Sequence, residues 1–185
     1  GRLWLERTRI QVLTKARFTS AAIRADFAVR GGSWGATLVA CADGRGSHYE
    51  LCGLWKDNVP PLWRCHLGKY VNTRFPLREF QQGKWPVKES PFAATKRGTM
   101  ALTFADGRLT GLAGDVKLEA RDDSLAAGSV GVWAFDADKA AFDNIHIMGT
   151  LEREWYEGAL KAADSARDRP AGPPPAAPAP EDTCR

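Results

Sequence analysis

Residues 100–120 read MALTFADGRLTGLAGDVKLEA, and this stretch decides the fold class. Apolar and polar side chains alternate in Met100–Phe104, Arg108–Ala113 and Val116–Ala120. Alternation with a period of two is typical of a β-strand that buries one face. Short turns separate the three runs, and the first contains Asp-Gly at 106–107, a dipeptide favoured in hairpins. The stretch therefore predicts an antiparallel meander of three strands.

The same period continues on both sides of the meander. Strands are predicted upstream at Arg9–Lys15, Ala22–Val29 and Trp34–Ala42, and downstream at Ser129–Phe135 and Ala140–Met148. Glycine-rich turns separate many of the runs, as expected between strands joined by hairpins. About a dozen short strands with almost no helix between them indicate an all-β chain folded as an antiparallel two-sheet sandwich.

One predicted hairpin carries two cysteines. Its strands are His48–Trp55 and Leu62–Leu67, and its turn is Lys56–Pro61, where two prolines cannot donate to a sheet ladder. If the hairpin is centred in the middle of that turn, Cys52 lies opposite Cys65, and the two could form a disulfide in an oxidising compartment. Buried free thiols are the alternative.

The pattern changes at the C-terminal end of the chain. We expect a sandwich over residues 1–149 and then a short amphipathic helix over 150–169, because apolar residues recur four apart from Leu151 to Ala163. Residues 170–185 are rich in proline, a composition that resists packing and predicts a linker or a disordered tail.

Composition and charge limit the classes of partner. With 44% hydrophobic residues in 185, the chain can bury one core, and no run approaches the roughly 18 apolar residues of a membrane-spanning helix. Between Lys56 and Arg97, nine basic residues face three acidic ones. This excess would attract an acidic glycan or another polyanion. No nucleic-acid-binding motif accompanies it, so nucleic acid is not expected.

Two short motifs resemble those of a known superfamily. Residues 128–134 fit the pattern GxVGxxA, and Phe142, Asp143 and Asn144 follow as FDN. Together with the preceding meander, they resemble the closing half of concanavalin A-like lectin and glucanase domains, in particular laminin G-like domains. A more distant similarity is to 3-keto-disaccharide hydrolase-type domains. The resemblance spans roughly Arg9 to Gly149 and implies a jelly-roll sandwich.

The sequence offers little for a metal or for catalysis. Asp143 is a candidate calcium ligand, with the turns at 122–123 and 136–138 as further oxygen donors, and no other cofactor is expected. The Glu-x-Asp-x-Glu pattern of the β-glucanase branch is absent, as are a CxxC zinc motif and a serine elbow. We therefore predict no catalytic residues, and the three histidines are interpreted as ordinary strand residues.

Aromatic residues near the proline-rich turns suggest a binding surface. Sugar rings stack on indoles, and a few polar groups then orient their hydroxyls. Core packing is the alternative for each ring. The predicted ligand-binding residues are Trp55, Asp57, Asn58, Trp63, Arg64 and Trp85.

These features favour a noncatalytic binding or adhesion module. We expect its ligand to be carbohydrate, including acidic glycans, and expect it to be tethered to other domains of a larger exported or cell-surface protein. Two alternatives remain open: a glycoside-processing hydrolase domain of the same fold, and a structural or protein-interaction domain.

Overall fold

The computed structural model describes six segments of the chain. They are residues 2–6, 10–31, 35–56, 62–71, 85–134 and 139–167. The predicted binding residues Asp57 and Asn58 lie outside them, as does the proline-rich stretch 170–185.

Twelve strands and one helix are present in the described residues. They are β1 (Leu3–Glu6), β2 (Ile10–Leu13), β3 (Phe18–Arg30), β4 (Ala36–Ala42), β5 (His48–Lys56), β6 (Trp63–Tyr70), β7 (Val87–Glu89), β8 (Arg97–Ala105), β9 (Arg108–Ala113), β10 (Val116–Arg121), β11 (Ser129–Ala134), β12 (Lys139–Leu151) and α1 (Arg153–Arg167). Sheet A has the spatial order β1-β12-β3-β8-β9-β10, and sheet B has the order β2-β11-β4-β5-β6-β7. All strand pairs are antiparallel, so the predicted two-sheet jelly-roll sandwich with a C-terminal helix is confirmed.

The core lies between the two sheets and explains the alternation in the sequence. Sheet A contributes Leu102 and Phe142, and sheet B contributes Leu38 and Leu51, all of them fully buried. Small residues let the sheets approach: a Cβ added at Gly111 would lie 2.8 Å from Leu51 Cδ1, which is closer than real contacts allow. The sequence therefore matches large side chains on one sheet to gaps on the other.

The predicted pairing of Cys52 with Cys65 is wrong. A register irregularity between Cys52 and Trp55 shifts the β5–β6 hairpin, so Cys52 lies opposite His66 and not opposite Cys65. A slip of one residue turns a side chain to the other face of a sheet. Cys65 accordingly belongs to the core between the sheets, whereas Cys52 points outward, and both are buried free thiols.

Helix α1 follows β12 after one residue and is tied down at its start. The Arg17 guanidinium hydrogen-bonds to the Glu152 carboxylate, and the Glu152 backbone N–H donates to the Arg17 carbonyl over 2.9 Å. The helix begins later than expected because Thr150 and Leu151 still pair with β3. Among the described residues, no helix is both long and apolar enough to cross a membrane.

Candidate functional site

The outer face of sheet B gathers unusual side chains for a surface that faces away from the core. On β5, Tyr49 and Leu51 point into the core, so alternation turns His48, Glu50 and Cys52 outward. The neighbouring strand β6 places His66 directly opposite Cys52. Three ionisable side chains from two adjacent strands therefore share one face.

These outward side chains are buried. His48 and His66 are 0% exposed and Glu50 is 3% exposed, although the outer face of a sandwich ordinarily presents polar residues to water. Charged residues are almost never buried to this extent unless they are paired. The burial therefore requires partners for the Glu50 carboxylate.

The partners of Glu50 are the two imidazoles. Glu50 Oε1 accepts a hydrogen bond from His66 Nε2 at 3.2 Å, and Oε2 lies 3.8 Å from His48 Nε2. His48 Nδ1 lies 2.9 Å from the Gly46 carbonyl oxygen, and because a carbonyl only accepts, Nδ1 carries the proton. His48 Nε2 is itself buried and faces the Glu50 carboxylate at a distance longer than a hydrogen bond.

The pair of histidines controls the charge of Glu50. Burial by itself would raise the pKa of the Glu50 carboxyl, but the two neighbouring imidazoles outweigh this effect and hold the pKa well below its usual range. Glu50 is therefore a carboxylate at neutral pH and acts only as a hydrogen-bond acceptor.

Aromatic rings surround this polar group. His48 stacks on Tyr70, with ring centroids 5.2 Å apart and planes at 20°, and Trp133 meets His48 edge to face at 5.3 Å. Trp55 meets His66 edge to face at 5.8 Å. Trp55 and Tyr70 are only half-buried, so apolar ring surface borders the buried carboxylate.

The predicted site residues that the structure describes fall into two groups, one on the outer face of sheet B and one that faces the core. Trp55 and Arg64 lie opposite each other on β5 and β6, and both point to the outer face of sheet B. Trp63 points inward and packs against the core, with Lys96 Nζ 3.1 Å from its ring centroid. Trp85 is 7% exposed and belongs to the core, where it packs against Tyr49. The prediction that Trp85 lies on the ligand-binding surface is therefore wrong.

Sequence reasoning missed the residues at the centre of the site. His48 and His66 were interpreted as ordinary strand residues because no motif for catalysis or metal binding surrounds them, and Glu50 was not singled out. The signal was present but incomplete: His48 and Glu50 are two apart, so they must share one face of a strand. His66 joins them only through the register of β6, which the shifted hairpin had obscured.

The structure also shows the surroundings of the calcium candidates. Asp143 accepts hydrogen bonds from Arg2 and from the backbone N–H of Asn144, and Asp122 contacts Tyr49 and Lys69. Within the described residues, no group of three or more His, Cys, Asp or Glu side chains is arranged to hold a metal ion. Calcium at Asp143 stays a prediction.

Comparisons with known proteins bear on the fold. No family model and no curated protein matches the chain. Among solved structures, the carbohydrate-binding module CBM66 from Bacillus subtilis superposes with a TM-score of 0.57 at 16% identity, covering 80% of this chain and 92% of that one. A Bacillus subtilis protein of unknown function with a galectin-like fold gives a TM-score of 0.55 at 16% identity, with 80% and 81% covered. The β-glucanase of Bacillus licheniformis gives 0.54 at 11% identity, with 80% and 78% covered.

The fold is the concanavalin A-like jelly roll. The expected jelly-roll architecture is thus confirmed, and membership of the superfamily stays a prediction. The closer resemblance to laminin G-like and 3-keto-disaccharide hydrolase-type domains stays a prediction. At these identities the jelly roll places no functional residue, so the case for a function depends on the site itself.

Proposed function

We propose that this protein is a noncatalytic carbohydrate-binding module and that the outer face of sheet B binds the sugar. One observation carries the proposal: a buried, ionised Glu50 held between two histidines beside the half-buried ring of Trp55. A ligand site needs this combination of apolar surface with a few fixed polar groups.

The chemistry of the face suits a sugar. The exposed part of the Trp55 indole offers a surface on which the apolar face of a sugar ring can stack. Arg64 lies opposite Trp55 in the adjacent strand and supplies donors to hydroxyl oxygens. Below them, the Glu50 carboxylate is an acceptor for a hydroxyl proton. A neutral sugar is therefore matched in both its apolar and its polar parts.

The fold comparison supports the same ligand class. The Bacillus subtilis structure of the same architecture is a carbohydrate-binding module by name, and the Bacillus licheniformis structure is a glucanase. A jelly roll of this kind therefore carries sugar-directed functions of both the binding and the hydrolytic type. The carboxylates of this chain favour binding.

Hydrolysis of a glycosidic bond ordinarily uses two carboxyl groups, about 5–5.5 Å apart in retaining enzymes and about 6.5–9.5 Å apart in inverting ones. In the described strands of sheet B, the outward carboxylates are Glu50, opposite Gly68, and Glu89, opposite Arg64. These partners lie four positions apart along β6, or about 13 Å at the usual strand rise. The backbone positions of the two residues are therefore farther apart than the carboxyl groups of either hydrolytic geometry, which favours binding over hydrolysis.

A glycan array with the whole chain, followed by titration of the best neutral ligand, tests the proposal. Trp55→Ala and Arg64→Gln should each weaken binding at least fivefold while leaving thermal melting nearly unchanged, because both residues lie at the border of the face. Tyr156→Ala is the matched control, since Tyr156 is an aromatic residue that is 48% exposed and lies on helix α1.

Three results would contradict the proposal. Binding that is lost with Tyr156→Ala but retained with Trp55→Ala would place the ligand elsewhere. If the wild type releases reducing ends from the bound glycan and Glu50→Gln does not, the protein is a glycoside hydrolase. No glycan binding by a folded sample would favour the structural or protein-interaction alternative.

A further inference from the structure

The outer face of sheet A carries a second pocket with its own chemistry. Four strands place Trp4, Ala141, Ala28 and Arg97 in one row across the sheet, because each is the register partner of the next. The two alanines leave a low floor between a 48% exposed indole and an exposed guanidinium. A pocket of about 280 Å³ opens over this floor, lined by Ala28 and Ala141 and bordered by Arg97 and Arg2. We call it the sheet A pocket.

The next row of the sheet forms a polar wall. Asp143, Asp26 and Thr99 are register partners on β12, β3 and β8, two positions from the alanine row. The Thr99 hydroxyl donates to Asp26 Oδ1 at 2.5 Å, and Asn144 Nδ2 donates to Asp26 Oδ2 at 2.7 Å. These hydrogen bonds lower the pKa of the Asp26 carboxyl. Asp26 therefore presents a fixed, ionised acceptor.

The FDN motif shapes this wall. The register of β12 shifts between Asp143 and His146, and Asn144 adopts a left-handed backbone with φ of +48°. Bulges of this type re-aim a side chain, and here the bulge directs the Asn144 amide onto Asp26. Left-handed backbone is costly for most residues but least so for asparagine. The motif thus has a local role that sequence alone did not reveal.

Cations dominate the rim of the pocket. Arg2 pairs with Asp143, with Arg2 Nε 3.4 Å from Asp143 Oδ2. Arg97 lines the pocket and Arg30 lies one row beyond Ala28, and within the described segments neither guanidinium has a hydrogen bond or an ion pair. The unpaired positive charge of Arg97 therefore lies one row away from the Asp26 wall, on the rim of the same pocket.

We propose that the sheet A pocket binds a uronic-acid sugar, a ring that bears one carboxylate and several hydroxyls. Arg97 pairs with the sugar carboxylate, since guanidinium matches carboxylate in geometry and charge. The Asp26 and Asn144 side chains hydrogen-bond the ring hydroxyls. The alanine floor contacts the apolar ring face. This ligand class and this face are separate from those of the site on sheet B.

A phosphate or a bare carboxylate fits the pocket less well. Either would meet the ionised Asp26 wall with no hydroxyl to donate to it, and like charges at close range are unfavourable. A neutral sugar would leave the Arg97 guanidinium without an anionic partner. Only a ring that separates its carboxylate from its hydroxyls uses both halves of the pocket.

Calorimetric titration of the whole chain with tetragalacturonate, beside a neutral galactose tetrasaccharide, tests the assignment. The acidic probe should bind at least fivefold more tightly than the neutral one. Arg97→Gln should remove most of that difference. Ala28→Glu should abolish binding, because it fills the floor and adds a like charge at an exposed position that folding does not need. Arg121→Gln, at an exposed position of strand β10 on the far edge of sheet A, is the control and should change nothing.

The proposals for the two sites can be refuted independently of each other. Tetragalacturonate binding that survives Arg97→Gln and Ala28→Glu, or that is lost with Trp55→Ala, would overturn the assignment and leave the sheet B proposal standing. Equal binding of polyglutamate, disappearing as salt is raised, would show only nonspecific charge attraction and would also overturn it. Binding of the acidic probe with no neutral glycan bound anywhere would support this pocket and contradict the site on sheet B.

Discussion

Replacing Glu50 with glutamine removes one charge from the centre of the sheet B site and keeps the size of the side chain. The carboxylate accepts a hydrogen bond from His66 at 3.2 Å, and hydrogen bonds to charged groups contribute about 1.5–3 kcal/mol. Glu50→Gln should therefore lower the free energy of unfolding by about 2 kcal/mol at pH 7. With a urea slope of about 2 kcal/mol per molar, the midpoint falls by about 1 M.

The loss should depend on pH in a defined direction. The folded-state pKa of Glu50 is lowered relative to the unfolded chain, so its stabilisation is fully present above the unfolded value of about 4.3. As pH falls below that value toward the folded pKa, the unfolded chain takes up the proton first and the stabilisation is lost. The wild type and Glu50→Gln should therefore converge between pH 4 and the lowest pH at which the chain still folds.

Urea titrations followed by tryptophan fluorescence and circular dichroism, at pH 7 and at pH 3.5, measure both effects. Glu89→Gln is the matched control, because Glu89 points outward on the same sheet and is exposed. The free energy of unfolding of Glu89→Gln should stay within about 0.5 kcal/mol of the wild type. If Glu50→Gln is neutral or stabilising at pH 7, or if its deficit grows as the pH falls, the ionised Glu50 between two imidazoles is not the native arrangement.

Two further predictions concern the core. Phe142→Ala should cost about 3–5 kcal/mol in a urea titration, since the ring is fully buried in β12, whereas Met148→Ala in the same strand should stay within about 0.5 kcal/mol because Met148 is 73% exposed. A cost below about 1 kcal/mol for Phe142→Ala would contradict the placement of the FDN strand. Burial raises the pKa of the Cys41 thiol to about 12 and that of Cys65 to about 11. In a Cys184→Ser variant, a thiol-specific reagent at pH 8 should therefore label the native chain slowly and the urea-unfolded chain at three cysteines. Labelling of only one cysteine after unfolding would mean that the other two form a disulfide.

The sequence predicted the strands, which depend on the local pattern of apolar residues. It did not predict which side chains meet across neighbouring strands, because that depends on the register of the strand pairs. Alternation of apolar residues is a property of single strands, so the strands of the meander at 100–120 were predicted close to their observed bounds. The face to which Cys52 points depends on one extra residue between Cys52 and Trp55, and no local pattern announces that irregularity. The meeting of Glu50 with His66 depends on the same register. The strands were therefore predictable, and the centre of the site was not.

The aromatic residues show the same difference between what the local sequence predicts and what the packing of the fold decides. Trp55 and Trp85 have similar surroundings in sequence, each near a proline, and both were expected on the ligand surface. Trp55 alternates outward from β5, whereas Trp85 precedes β7 and inserts into the core beside Tyr49. Proximity to a turn gives a ring access to solvent but does not require it, because large apolar area favours burial wherever the core has room.

The buried polar group on sheet B also bears on the alternative of a purely structural domain. Replacing a buried ion pair by apolar residues of similar volume is often neutral or stabilising, so such a pair gives a fold little stability that leucine or valine would not also give. The outer face of sheet B already buries Val39 and Trp133 beside the pair. An apolar residue at position 50 would extend this packing at lower cost in desolvation. Sites that depart from the locally most stable choice are typically functional ones. A buried carboxylate held ionised beside two imidazoles is such a departure, and it favours a face that recognises hydroxyl groups.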